Sequence, residues 1–253
     1  MIALPAQWPA IDATAPWLLP YRATLLRIEA CRSAAGSLAD TLNAAMALQP
    51  AVMLAQGALR FVPQHELPEG EAYEAFIART ARVPTRDNLH DALNRLVWCR
   101  HPALKLRLNT LQAAEIAAHG IGPTRGAVRD ALTLFDEHGA LWPDAPPQLA
   151  QALAARDWPA LFITHRALWR DTRLEIFGHA LLEQLATAPR KALTAHVALG
   201  DPLAWPADEW GRKPFLPLPV LGIPGWWPAN GEPAFYADAK VFRPPRLKPG
   251  APP

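Results

Sequence analysis

Residues 83–109 read VPTRDNLHDALNRLVWCRHPALKLRLN, and the reading of this stretch decides the fold. Arg, Asp, Asn and His stand there between apolar residues at helical spacing, more densely than elsewhere in the chain. Pro84 disfavours the helical region for Val83, so the stretch opens extended. Thr85, Asp87 or Asn88 can then cap a helix by offering a side-chain oxygen to free backbone donors. Leu89, Leu93, Leu96 and Val97 recur as one buried stripe. His90 and Asn94 fall at its edge, and Asp91 and Arg95 on its far side, four apart, where they can pair. Pro102 breaks the run. A second helix is expected from Ala103 to Ala118, closed by Gly120 and Gly122.

Outward from this pair of helices, the pattern stays mostly helical. Residues 1–20 hold two Trp and four Pro and read as an irregular arm. Helices are expected over Arg22–Arg32, from Ser37 with Asp40 in a capping-box position, and over Glu69–Arg79. Leu59–Val62 reads as a short extended piece. Leu132 and Leu134 alternate with Thr133 and Phe135 ahead of DEHG and ALW. That predicts a β-hairpin near residues 131–142, with Gly139 in the left-handed turn position. Helical spacing returns over Pro147–Arg156 and Trp158–Trp169. Thr172 and Glu175 then suggest a capping box for a helix reaching about Ala186, with Leu174, Phe177, Leu181 and Leu185 inward. Leu193–Leu199 fits a strand or a short helix.

The chain has 253 residues, half of them hydrophobic, with 28 Pro and 10 Trp. Residues 200–246 are Pro-rich but carry Trp226, Trp227, Phe235, Tyr236 and Phe242, too many large apolar groups for a disordered tract. An ordered segment packed on the body is expected, with a loose tail at 247–253. The sum is a mainly α fold with a small β-hairpin or sheet (α+β), and one compact domain over 1–253 whose helical body spans 21–199.

No apolar run reaches the roughly 20 residues that cross a bilayer, and the N-terminus lacks signal-peptide character. A cytoplasmic protein with no membrane association is expected. Cys31 and Cys99 are too few for a disulfide framework and read as reduced thiols. The formal charge of +2 is uninformative, but Arg79–Arg129 holds nine Lys or Arg against three acids. That segment is either a solvated face or an anion site.

Five stretches together resemble a bacterial family of uncharacterised proteins, domain of unknown function number three thousand and twenty-five. They are VPTRDNLHDALNRLVW, RDALTLFDEHGALW, FGHALLEQL with TAH, LPVLGIPGWW and FYADAKVFRPPR, which occur in order between Tyr73 and Arg246. The resemblance implies one domain with an ordered Pro-rich end. It implies no activity, cofactor or catalytic residue.

The chemistry is therefore read from the residues. His90 and Asp91 can supply two metal ligands, or a general base with its carboxylate, with Asn94 one turn on. In phosphohydrolases of the HD type such a dyad joins an upstream His and a distant Asp, places that His65 and Asp130 or Asp136 could fill. The context LHDALNRL lacks the Gly-Lys continuation of those enzymes. The plainer alternative is a His bonded to Asn94 or a carbonyl, beside an Asp91–Arg95 pair. His179 and Glu183, four apart, can hold one divalent ion or simply bond each other. His196 is a further ligand or a satisfied core group. Asp136 and Glu137 are a cation site or ordinary turn acids. Arg86, Arg125 and Arg129, with Asp130, form an anion clamp or an ion-pair network. GxGxxG, Walker A, GxSxG, HExxH and CxxC patterns are missing, which disfavours the familiar nucleotide loops, serine hydrolases and structural zinc.

Two functional expectations follow. One is a metal-dependent hydrolase of an anionic, perhaps phosphorylated, small molecule. It would hold one divalent ion (zinc, manganese or iron) at His90, Asp91, His179 and Glu183. The other is a non-catalytic module that binds nucleic acid or an acidic partner through segment 79–129.

Overall fold

The computed structural model describes residues 11–32, 36–122 and 126–244. Arg125 and the tail at 247–253 lie outside the described residues, as do the first ten residues of the arm. The described part of the arm is a 3-10 turn, Pro16–Tyr21, that buries Leu18 and Tyr21. Helix α1 (Arg22–Ala30) follows, then α2 (Leu38–Met46). The capping box of α2 is present: Ser37 Oγ accepts from Asp40 N, and Asp40 accepts from Ser37 N. Strands β1 (Met53–Leu54) and β2 (Gly57–Ala58) pair antiparallel. Strand β3 (Arg60–Pro63), helix α3 (Tyr73–Thr80) and strand β4 (Arg82–Thr85) form a small crossover in which β3 and β4 run parallel.

Helix α4 (Leu89–Arg100) starts where the sequence put it, with Asn88 Oδ1 accepting from Asp91 N at 2.7 Å. It is buried on nearly every side; of its twelve residues only His90 and Arg100 are not. The single stripe expected from the sequence is too narrow. Asp91 and Arg95 do pair, but at 3 % and 1 % exposure. Strand β4 and helix α3 cover the face expected to meet solvent: Arg95 Nε donates to Thr85 Oγ1 at 3.0 Å, and its guanidinium lies over the Tyr73 ring. After His101, helix α5 (Pro102–His119) runs back, with Pro102 in its first turn.

The expected hairpin is instead a helix and a strand. Helix α6 spans Ala127–His138 and strand β5 spans Gly139–Trp142. Ala131, Leu132 and Phe135 form one buried helical face, and spacings of three and four outweigh the apparent alternation. Gly139 is in ordinary extended backbone, not a left-handed turn. It is required because a Cβ there would stand 2.4 Å from the Phe135 carbonyl oxygen.

Helix α7 (Pro147–Ala155) leads through a π turn, Ala160–Thr164, and a 3-10 turn, Arg166–Arg170, to strand β6 (Glu175–Ile176). Thr172 and Glu175 are therefore not a capping box. Thr172 Oγ1 takes the Trp142 indole N–H at 2.6 Å, and Glu175 takes Arg100 and His101. Helix α8 (His179–Thr187) begins only after Gly178. Strand β7 (Thr194–Leu199), helix α9 (Ala207–Gly211) and strand β8 (Leu216–Pro219) complete a four-stranded sheet in the order β6-β5-β7-β8. Its central pair, β5 and β7, is parallel, and the outer pairs are antiparallel.

The Pro-rich segment packs onto this body. Phe235, Tyr236 and Phe242 are buried, and Trp226 and Trp227 pack partly buried against the core. The Tyr236 ring stacks on Phe162 at 5.1 Å, and its hydroxyl donates to the carbonyls of Gly222 and Asn230. One hydrophobic cluster runs from Ile11 to Phe242. The architecture is α+β, mainly helical with small sheets. Among the described residues no helix is long and apolar enough to cross a membrane.

Candidate metal centre

Three helix ends meet at one point. His90 is in the first turn of α4, His179 is the first residue of α8, and Glu137 lies in the last turn of α6. Gly178 sets the approach: a Cβ on it would stand 2.4 Å from the Glu137 carbonyl oxygen and 2.5 Å from His138 Cα. Only glycine lets the start of α8 lie against the end of α6. His179 is thereby held beside Glu137, and the two His rings meet edge to face at 4.7 Å.

The facing atoms are His90 Nε2, His179 Nε2 and Glu137 Oε2. The two ring nitrogens are 3.2 Å apart, and Glu137 Oε2 is 3.4 Å from His179 Nε2. One ligand atom from each residue lies within 4.8 Å of those of the other two. Atoms about 2.0–2.2 Å from one tetrahedral ion stand about 3.3–3.6 Å apart. The spacing is that of ligands, and three protein ligands leave a fourth position open.

The outward ring nitrogens are already engaged. His179 Nδ1 lies 2.8 Å from the Asp136 carbonyl oxygen, which can only accept, so Nδ1 carries the proton. His90 Nδ1 lies 2.8 Å from Glu183 Oε2. Burial pushes the His179 imidazole down to about 3, so it is neutral at ordinary pH, with an Nε2 lone pair aimed at His90. With Nδ1–H on both rings, two lone pairs and a carboxylate converge, an arrangement that calls for a cation or a proton between them. A carbonyl or carboxylate behind each imidazole is the usual support of a metal-bound His. Asp136 is fixed in turn by Lys105, whose Nζ stands 2.6 Å from Oδ1 and lies over the Trp98 ring. Burial alone would raise the Asp136 carboxyl; the Lys105 ammonium outweighs it and holds it below the usual range.

The sequence candidates separate in space. His90, His179 and Glu183 converge, with Glu183 bonded to His90 and not to His179. It reaches across to the other helix and holds His90. Asp91 is not at the ion position. Its Oδ1 takes Arg86 Nη2 at 2.9 Å, and its Oδ2 takes Arg86 N at 2.7 Å and Arg95 Nη2 at 3.4 Å. Adjacent helical residues point about 100° apart, and here His90 turns toward His179 while Asp91 turns toward Arg86 and Arg95. Asn94 is buried beside the centre, and its Oδ1 has no hydrogen-bond partner. Arg86 lies on the cavity wall, whereas Arg129 does not. Asp130 pairs with Lys213 at 2.6 Å. His65 is exposed and off the cavity, and His196 packs its ring against Phe215 at 5.1 Å. Glu137, which the sequence reading placed at a turn, completes the group that could hold an ion. The helical face of Ala131, Leu132 and Phe135 and the glycine of FGH are the signals that locate it.

Six cations of segment 79–129 are paired with acids among the described residues. Arg79 pairs with Glu71, Arg82 with Glu66, Arg100 with Glu175 and Lys105 with Asp136, while Arg86 and Arg95 share Asp91. Beside the centre lies a cavity of about 330 Å³ whose walls include His90, Glu137, His179, Arg86, Arg95 and Asn94. A larger cavity of about 610 Å³, between Arg156, Trp158 and Lys240, contains no His or acid and gathers no ligand set.

An α+β chain with a His-Glu-His centre at three helix ends is the class that fold and site define. A family described as protein of unknown function (DUF3025) matches residues 59–210 and 203–246, and the chain belongs to that family. No curated protein and no solved structure matches the chain.

Proposed function

We propose that this protein is a metal-dependent hydrolase of an anionic small molecule, holding one divalent ion through His90, Glu137 and His179. The observation that carries the reading is the convergence of two Nε2 atoms and a carboxylate at ligand spacing, with both Nδ1 atoms occupied from behind. Two His and one carboxylate favour zinc, with manganese or iron as further candidates. A divalent ion held by these three residues would supply Lewis-acid activation of water and of the bond to be cleaved. The chain's own residues do the rest. Glu183 and the Asp136 carbonyl fix the two rings and raise their basicity as ligands. Arg86 and Arg95 share Asp91 and leave that corner of the cavity positive, where an anionic group can be oriented.

The test is metal analysis of protein purified without chelator or affinity-metal resin, followed by hydrolase assays on the loaded protein. One equivalent of ion, lost in His179→Ala, supports the reading. A blank analysis with no uptake of added zinc overturns it and leaves a proton-sharing network of His90, His179 and Glu183. The alternative of a nucleic-acid or acidic-partner module is disfavoured by the pairing of the segment's cations with acids.

A further inference from the structure

We infer that the ligand of this cavity is a small, hydroxyl-rich molecule bearing one anionic group, and not a nucleotide, an acyl chain or a peptide; this rests on the metal-centre reading. Size sets the first limit. About 330 Å³ lies at the low end of ligand cavities and suits a molecule of sugar size.

The lining sets the second. Leu67 is its one aliphatic side chain, and apart from the two His ligands Tyr73 is its one ring. A nucleobase or an acyl chain needs an apolar slot that this wall lacks.

Unused hydrogen-bonding capacity sets the third. Tyr73 OH, Asn94 Oδ1 and Arg95 Nη1 are covered and have no partner among the described residues. Gln112, 5 % exposed, has no side-chain hydrogen bond among the described residues. All four residues line this cavity. A covered polar atom without a partner is destabilising until one arrives, and those three atoms with the Gln112 amide offer both donors and acceptors. Hydroxyl groups, which donate and accept, match such a wall.

Charge sets the fourth. Arg86 and Arg95 share the one carboxylate of Asp91, so that corner of the wall carries one positive charge. One phosphate or carboxylate answers it.

The experiment is calorimetric titration of zinc-loaded protein with glycerol 3-phosphate, glucuronate, AMP and octanoate. Glycerol 3-phosphate or glucuronate should bind at least about tenfold more tightly than AMP and octanoate, a gap of roughly 1.4 kcal/mol. Which of the two binds better separates a phosphate from a carboxylate group. Gln112→Leu and, as a second variant, Asn94→Asp should each weaken that binding about tenfold with zinc stoichiometry unchanged. Tighter binding of AMP or octanoate, or no effect of either variant, overturns the inference. Zinc bound with none of the four ligands recognised removes this inference and spares the metal centre. Binding of a hydroxyl-rich anion by protein that takes up no zinc removes the metal centre and spares the ligand class.

Discussion

His90 Nε2 and His179 Nε2 face each other at 3.2 Å, each on a ring whose other nitrogen is already held. Two ring nitrogens at that distance need a proton or a cation between them. The first prediction follows. His90→Ala and His179→Ala should each abolish stoichiometric zinc binding. Glu183→Gln, which touches a ligand and not the ion, should weaken it by about 10–100-fold. Competition with a metal-sensitive dye measures both. Equal zinc affinity in wild type and His179→Ala would remove the centre.

Asp91 is paired with Arg86 and Arg95, and its loss should appear in stability without loss of metal. Asp91→Asn leaves Arg95 buried without its carboxylate, a change expected to cost about 3–5 kcal/mol. Urea unfolding gives the stability and metal analysis the occupancy. A stable Asp91→Asn variant that has lost its ion would mean that Asp91 is a ligand after all.

Gly178→Ala should loosen both the fold and the centre. Its methyl group would meet the Glu137 carbonyl oxygen at 2.4 Å, so the start of α8 must move away from α6. Overpacking of this kind costs about 1–3 kcal/mol, and the same shift separates His179 from Glu137. The melting temperature and zinc affinity should fall together. An unchanged melt with full zinc affinity would contradict the backbone contact.

The metal-free protein should lose stability as pH falls from 6.5 towards 4. Burial pushes the His196 imidazole down to about 4 from 6.5, so the unfolded chain takes up a proton in this window before the folded one does. Proton uptake by the unfolded state lowers folding stability as pH drops, and above 6.5 both states are neutral. Thermal melts of chelated wild type and His196→Gln, compared at pH 7 and pH 5, test this. The wild type should lose more than the variant, and parallel losses would count against the assignment.

Truncation after Gly200 should leave an insoluble chain or one without a cooperative melt. It removes β8, Trp210 and the cluster of Phe235, Tyr236 and Phe242, and strips the cover from Phe162. A soluble truncate that melts cooperatively would show the segment to be dispensable.

Local signals were legible where they were chemically strong. The Ser37–Asp40 box, the Asn88 cap and the extended Val83 before Pro84 each rest on one side chain or one ring closure, and each is present. Residues 131–135 fit two periods at once, because Leu132 and Phe135 satisfy helix spacing while Leu132 and Leu134 satisfy alternation. Only packing against α5, α8 and α9 decides between them. The site was half legible for a related reason. Helical spacing shows which residues share a face, but not which face another element will cover. Asp91 was therefore expected beside the ion and lies against Arg86 and Arg95. Glu137 joined the His90–His179 group only once α6 existed.

The three side chains that could hold an ion sit on helix ends separated along the chain, His90 and His179 being 89 positions apart. An ion at that junction would act as a clasp on two long loops, and its grip would exist only while all three helices are docked. Its binding free energy would then add to that of folding. The occupied chain should resist unfolding and proteolysis far better than the empty one, so scarcity of the ion would be read out as shorter protein lifetime before any catalytic deficit is felt.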